Sequence, residues 1–192
     1  YIRQHKVVDV AVLKDDAPFS RLNSDGTIDG ILSEYYDHLS RRTGIKFKLV
    51  AYDSKDSACE ALTAGRVGMI GKFENDIYDA NRRDVMLSIA YLNMNLVGIT
   101  HTGQQDITNI AVPECNAASV KRILENTGSS TKCITFKNSA ECFAALKNNN
   151  VDGIVCTQTA ATWLLNQNRA SDYVVTAFGN NEKYDICCAL KP

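Results

Sequence analysis

Apolar positions along the chain come in short runs and helical stripes that alternate from one end to the other. Val7 to Leu13 is an apolar run that reads as a strand. It enters a polar stretch, Lys14 to Ser20, in which Pro18 fixes one backbone angle, and then a second turn in which Gly26 follows Asp25. After Gly30 the apolar residues fall at Ile31, Leu32, Tyr35, Tyr36 and Leu39, one face of a helix. Gly44 supplies a stop, Phe47 to Tyr52 reads as a second strand, and Asp53 or Ser54 caps the next helix. That helix turns Ala58, Ala61 and Leu62 inward and ends at Gly65, before a third strand, Val67 to Phe73. Strand, loop and helix in repeated order predict a parallel sheet joined by right-handed crossovers. Ligands of such sheets usually bind at the loops beyond the carboxyl ends of the strands.

The second half repeats this grammar. Leu96 to Thr100 is an apolar strand, and His101 to Gln105 is a polar break with the character of a hinge. Ile110 to Val112 is the next strand, Pro113-Glu114-Cys115-Asn116 its loop, and Val120, Ile123 and Leu124 line one face of the helix that ends at Gly128. Cys133 to Phe136 is a strand, and Asn138 with Glu141 starts a helix running through Leu146 in the manner of a capping box. Val151 to Cys156 is a strand, Thr159 to Asn166 a helix carrying Trp163 and Leu164, and Tyr173 to Phe178 and Tyr184 to Leu190 are closing strands. Helical spacing assigns Tyr35, Tyr36 and Trp163 to the core.

Composition narrows the function by exclusion. A net charge of −1 over 192 residues provides no basic field for nucleic acid and no polybasic membrane patch. No run approaches the roughly 18 apolar residues of a membrane span, so a membrane would be reached only through a tether outside this chain. The seven cysteines match no zinc spacing and no CxxC motif. Cys156 and Cys187 sit in apolar strands as small hydrophobes, while a disulfide between two cysteines of the second half stays open. Hydrolase, zincin and P-loop signatures are missing, and His5, His38 and His101 have no nucleophile beside them in sequence. The reading is therefore no catalytic residue, no metal site and no cofactor.

The stretch from Lys14 to Leu39, with its Pro18-Phe19 pair, Asp25-Gly26 turn and Gly30-Ile31 helix start, resembles the opening of the family 3 extracellular solute-binding proteins. Further on, Ala61-Leu62, Gly65-Arg66-Val67 and the apolar pair Met69-Ile70 match that family's pattern, with Gly68 where it usually has Asp. Asn81-Arg82-Arg83 followed by Leu87-Ser88-Ile89-Ala90-Tyr91 is similar to its "Thr-x-x-Arg … Phe-Ser-x-Pro-Tyr" element. Ser139-Ala140-Glu141-Cys142-Phe143-Ala144-Ala145-Leu146 and Val151-Asp152-Gly153-Ile154-Val155 resemble the second lobe. The resemblance covers nearly the whole chain. It implies an α/β, two-lobed type II periplasmic-binding-protein-like fold, with two open, mainly parallel sheets and a cleft between them. Lobe one would take residues 1–99 plus 184–192 and lobe two residues 104–180, with hinges about 99–104 and 180–185.

The resemblance also implies where a ligand would sit. The family uses a lobe-one Arg for a carboxylate, because the planar guanidinium meets it bidentately. Arg82 is the candidate here, although strict register lands on Asn81. The lobe-two acid falls on Thr157, the anion loop becomes Cys115-Asn116, and a position often aromatic is Asp16. The expected ligand-binding set is Asp16, Phe19, Tyr52, Phe73, Asn75, Arg82, Asn116 and Thr157. The expected function is an extracytoplasmic ligand-sensing domain of a membrane signalling protein, closing on a small polar solute such as an amino acid or carboxylate. A membrane tether, an extracellular or periplasmic location and a dimeric sensor would go with it. The alternatives are the receptor of an ABC importer and, behind it, an enzyme on the same fold.

Overall fold

The computed structural model describes residues 7–179 and 183–192. They divide into two compact units, residues 7–93 with 185–192 and residues 94–179 with 183–184. The expected hinge at 180–185 and the leader with His5 lie wholly or partly outside the described residues.

Unit one is built on the parallel strands β1 (Val7–Leu13), β5 (Lys46–Tyr52) and β6 (Met69–Glu74), with β1 in the middle. Val10 pairs with Leu49 on one side and Met69 on the other. Beyond β6 lies β13 (Lys183–Leu190), antiparallel, and β7 (Met86–Leu87) pairs with it in turn. Between β1 and the first helix is a small antiparallel sheet of β2 (Asp15–Asp16), β3 (Ser20–Leu22) and β4 (Ile28–Asp29). The helices are α1 (Ile31–Thr43), α2 (Lys55–Thr63) and the short α3 (Ile77–Arg82). Ser54 caps α2 through a full capping box with Ser57, and Gly44 ends α1 in the left-handed conformation, both where the sequence places them. The core gathers Ala11, Ala58, Leu62, Ile70, Phe73, Cys187 and Ala189.

The start of α1 explains the glycine at position 30. No side chain caps this helix; instead the amides of Ile31 and Leu32 donate to the carbonyls of Pro18 and Phe19, each at 3.0 Å. The loop therefore passes directly over Gly30, at φ +120°, where a Cβ would stand 2.5 Å from the Phe19 oxygen. Only glycine fits that approach. The Ala17–Pro18 peptide is cis.

Unit two centres on the parallel strands β9 (Asn109–Pro113), β10 (Lys132–Phe136) and β11 (Gly153–Thr157), with β9 in the middle. β8 (Leu92–His101) runs antiparallel to β11, and β12 (Tyr173–Ala177) pairs antiparallel with β8. A 3₁₀ turn, Glu114–Asn116, leads into α4 (Ala117–Asn126); α5 (Ser139–Lys147) and α6 (Gln158–Asn168) complete the layer. The core runs through Ile99, Ala111, Cys142, Phe143, Leu146, Ile154, Cys156 and Leu164.

Three local expectations change. The break at His101 to Gln105 is not where the units divide, because β8 continues through His101 and pairs with Tyr173 there, while the division falls between Asn93 and Met94. Tyr35 is not a core residue: it stays partly exposed and stacks on Tyr91 at 5.0 Å, whereas Tyr36 is 1% exposed. The capping box at α5 is not reciprocal, since Asn138 accepts from the Glu141 amide while the Glu141 carboxylate accepts from the Lys137 amide.

Candidate ligand-binding edges

In unit one the parallel strands β1, β5 and β6 end at Leu13, Tyr52 and Glu74, so the segments after them share one edge of the sheet. This edge carries Asp16, Phe19, Tyr52, Phe73, Asn75 and Arg82. Asp16 and Phe19 come together around Lys72. The Lys72 ammonium meets Asp16 Oδ2 at 2.6 Å, with the two side chains only 9% and 11% exposed, and lies 4.3 Å from the centre of the Phe19 ring. Phe19 itself is buried and serves as the apolar floor under that pair. Phe73 is also buried, in the core, with the Lys55 ammonium 4.0 Å from its ring centre. Tyr52 packs half-buried on the same core, and its carbonyl accepts from the Lys14 amide. Asn75 is exposed, with its amide donating to the Asp185 carbonyl.

Arg82 ends α3 with its side chain 72% exposed, yet it is not alone. Its guanidinium donates to Asp79, as does that of Arg83, and Lys55 pairs with the other carboxylate oxygen at 2.7 Å. Burial by itself would raise the Asp79 carboxyl; the hydrogen bonds from Lys55, Arg82 and Arg83 outweigh it and hold the group well below the usual carboxylate range. Arg83 also pairs with Asp56. A groove of about 570 Å³ beside this network is lined by Asp56, Cys59, Glu60, Thr63, Ala64 and Arg83, and none of the candidate residues lines it.

Sequence reasoning missed Lys72, Lys55 and Asp79. A lysine in the middle of the otherwise apolar run Met69 to Phe73 was the signal for the first. For Asp79, the signal was its spacing of three and four residues from Arg82 and Arg83.

In unit two the parallel strands β9 and β11 end at Pro113 and Thr157, which brings Asn116 and Thr157 to one edge. Thr157 is 2% exposed and caps α6, its hydroxyl accepting from the Ala160 amide at 3.3 Å. Asn116 is also 2% exposed and stands at the start of α4, where it makes no side-chain cap. Its Oδ1 accepts from the Cys115 thiol at 3.7 Å, and its Nδ2 has no partner among the described residues. A buried amide donor at a helix N-terminus offers a hydrogen bond to an acceptor, in a field that favours negative charge. Among the described residues no group of His, Cys, Asp and Glu is placed to hold a metal ion, and no helix is long and apolar enough to cross a membrane.

Comparison with solved structures bears on the fold. The crystal structure of the Bordetella pertussis BvgS periplasmic VFT2 domain superposes with a TM-score of 0.84, covering 98% of this chain and 82% of that one at 23% identity. This chain has the type II periplasmic-binding-protein fold. The arginine-bound form of truncated ArgBP from T. maritima shares it, with a TM-score of 0.75 over 99% of this chain and 90% of that one at 17% identity. In sequence the chain is homologous to the virulence sensor protein BvgS of Bordetella pertussis, 25% identical over 177 residues that make up 87% of this chain. The match spans 14% of the length of that relative. No family model matches the chain.

Proposed function

We propose that the chain is an extracytoplasmic, periplasmic ligand-sensing domain of a membrane signalling protein, and that it binds a small polar solute. The observation behind this reading is the alignment of 87% of the chain with a virulence sensor protein, joined to a structural likeness to that sensor's VFT2 domain along 98% of the chain. The site chemistry fits a solute with an anionic group. Arg82, with Asp16, Phe19, Tyr52, Phe73 and Asn75, is the candidate set at the unit-one edge, and the amide of Asn116, with Thr157, the candidate set at the unit-two edge. Asp16 and Lys72 neutralise each other at the unit-one edge, which favours a ligand of low net charge over a dianion.

A second reading, the receptor of an ABC importer, draws on the likeness to the arginine-bound ArgBP. Both readings are binding functions, so one experiment tests their common part. A thermal-shift screen of amino acids and small carboxylates should find stabilisation without chemical change of the ligand. Linkage sets the scale at about 2.7 kcal/mol for a ligand at 100 times its dissociation constant. Turnover of a stabilising compound would replace binding by catalysis. Fusion of the chain to a kinase reporter separates the two readings, since only a sensor passes a ligand response to the kinase.

A further inference from the structure

Three of the seven cysteines converge in unit two at the edge that carries Asn116 and Thr157. Cys115 follows the carboxyl end of β9, and Cys156 is the penultimate residue of the neighbouring β11. The register Gly153↔Ile110 and Ile154↔Ala111, carried on, sets Cys156 level with Pro113, two residues before Cys115. Cys142 lies in the early part of α5, whose N-terminus reaches the same edge, and shares one buried cluster with Cys156. Cys142 and Cys156 are fully buried, while Cys115 is half-buried and so within reach of a reactant. Burial first, then the neighbouring thiols of Cys156 and Cys115, raise the Cys142 thiol; burial and then Cys115 push Cys156 up to about 12. Cys115 and Cys156 thus bear on the Cys142 thiol, and Cys115 bears on that of Cys156.

We propose that Cys115 and Cys156 form a thiol–disulfide modification site, with Cys115 as the thiol that meets the oxidant. The oxidant class is a disulfide, whether on a small molecule or on a thiol oxidoreductase. The Cys115 thiolate attacks one sulfur of that disulfide, forming a mixed disulfide and releasing the other sulfur as a thiolate. Cys156 then gives up its proton and attacks the Cys115 sulfur, releasing the second thiolate of the oxidant. Two protein thiols and one disulfide become one protein disulfide and two thiols. The low acidity of the buried Cys156 makes this second step the slow one. The oxidising conditions of the proposed location suit the chemistry.

Cys115 and Cys156 immediately precede Asn116 and Thr157 in sequence, so a bond between them would pull on both candidate ligand residues. This consequence for ligand affinity rests on the function proposed above. The bond itself is measured without any ligand, so the two ideas fail separately.

The reduced chain is incubated with oxidised glutathione, unreacted thiols are alkylated, and peptides are mapped by mass spectrometry without reduction. The expected result is a peptide containing Cys115 linked to one containing Cys156, removed by dithiothreitol. Cys115→Ser should lose this link and Cys133→Ser should keep it. Cys156→Ala, a change in the core, should stop the wild-type product at the mixed disulfide on Cys115. Should Cys156→Ala not fold, a time course on the parent replaces it, in which the Cys115 mixed disulfide must precede the link. No link to Cys115 after full oxidation overturns the site, and a Cys115–Cys142 link overturns the assignment of Cys156.

Discussion

The Arg82 guanidinium donates to the Asp79 carboxylate at 2.7 Å from one turn further along α3. The same carboxylate, 9% exposed, also serves Lys55 and Arg83, whose side chains are 23% and 18% exposed. The energetics of the partners are therefore unequal. Removing an exposed arginine leaves two cations on Asp79, whereas removing Asp79 leaves two partly buried cations without it. Arg82→Ala should cost less than about 1 kcal/mol of stability, and Asp79→Ala on the order of 3 kcal/mol. Urea unfolding of both variants checks this, and equal losses would show that Arg82 is integral to the network.

The same carboxylate sets a pH dependence. The folded chain holds Asp79 well below the value of about 4 that an unfolded aspartate has. Its ionised form is therefore favoured by folding, and that stabilisation is fully present above about pH 4. It is lost as the pH falls toward the depressed folded value. The parent should lose stability between about pH 5 and lower pH more steeply than Asp79→Asn, which lacks the titrating group. Parallel acid-unfolding curves for the two proteins would refute the assignment.

Gly30 allows a test of how the first loop meets α1. Alanine at this position must accept φ +120° and a Cβ 2.5 Å from the Phe19 oxygen, and the two helix amides bonded to this loop would be displaced with it. The expected loss is on the order of 3 kcal/mol. Gly26→Ala is the control, because Gly26 has φ +84° but open space around it. It should lose only about 1 kcal/mol, from backbone strain. Similar losses at both positions, read from thermal melts, would mean that the close approach to Phe19 matters little.

These cases show what was legible in the chain. Strands and helices were, because their periodicity is local: Ser54, Gly44 and Gly65 punctuate elements by rules acting over three or four residues. The partners of charged side chains were not. Lys72 reaches Asp16 from 56 residues away, and that pairing depends on how β6 lies against the small sheet of β2, β3 and β4. Phe19 enters the candidate set through the family resemblance, and its burial beneath the Lys72 ammonium, which depends on tertiary packing, is not legible in the sequence. Arg82 entered through the family resemblance, but the sharing of one Asp79 carboxylate among three cations needed Lys55 from another helix.

Asn116 is the candidate that most directly joins structure to binding. Its amide nitrogen is buried at the start of α4 with no partner among the described residues. A buried donor in that state costs about 1–3 kcal/mol, and a ligand acceptor would recover it on binding. Asn116→Ala removes that penalty but also buried packing and a weak thiol contact, opposing effects that should leave the ligand-free chain within about 1 kcal/mol of the parent. Affinity for an anionic ligand found in the thermal screen should fall roughly tenfold, or about 1.4 kcal/mol, by calorimetry. Asn116→Asp is the sharper variant, since it puts an acceptor and a negative charge where the donor stood. It should abolish binding of an anionic ligand while the fold, checked by circular dichroism, persists. If both variants bind as tightly as the parent, Asn116 is not a ligand residue and its orphan amide is a local cost of the 3₁₀ turn. Tighter binding of a cationic solute by Asn116→Asp would instead confirm the position and show that this residue sets the sign of the charge the site accepts.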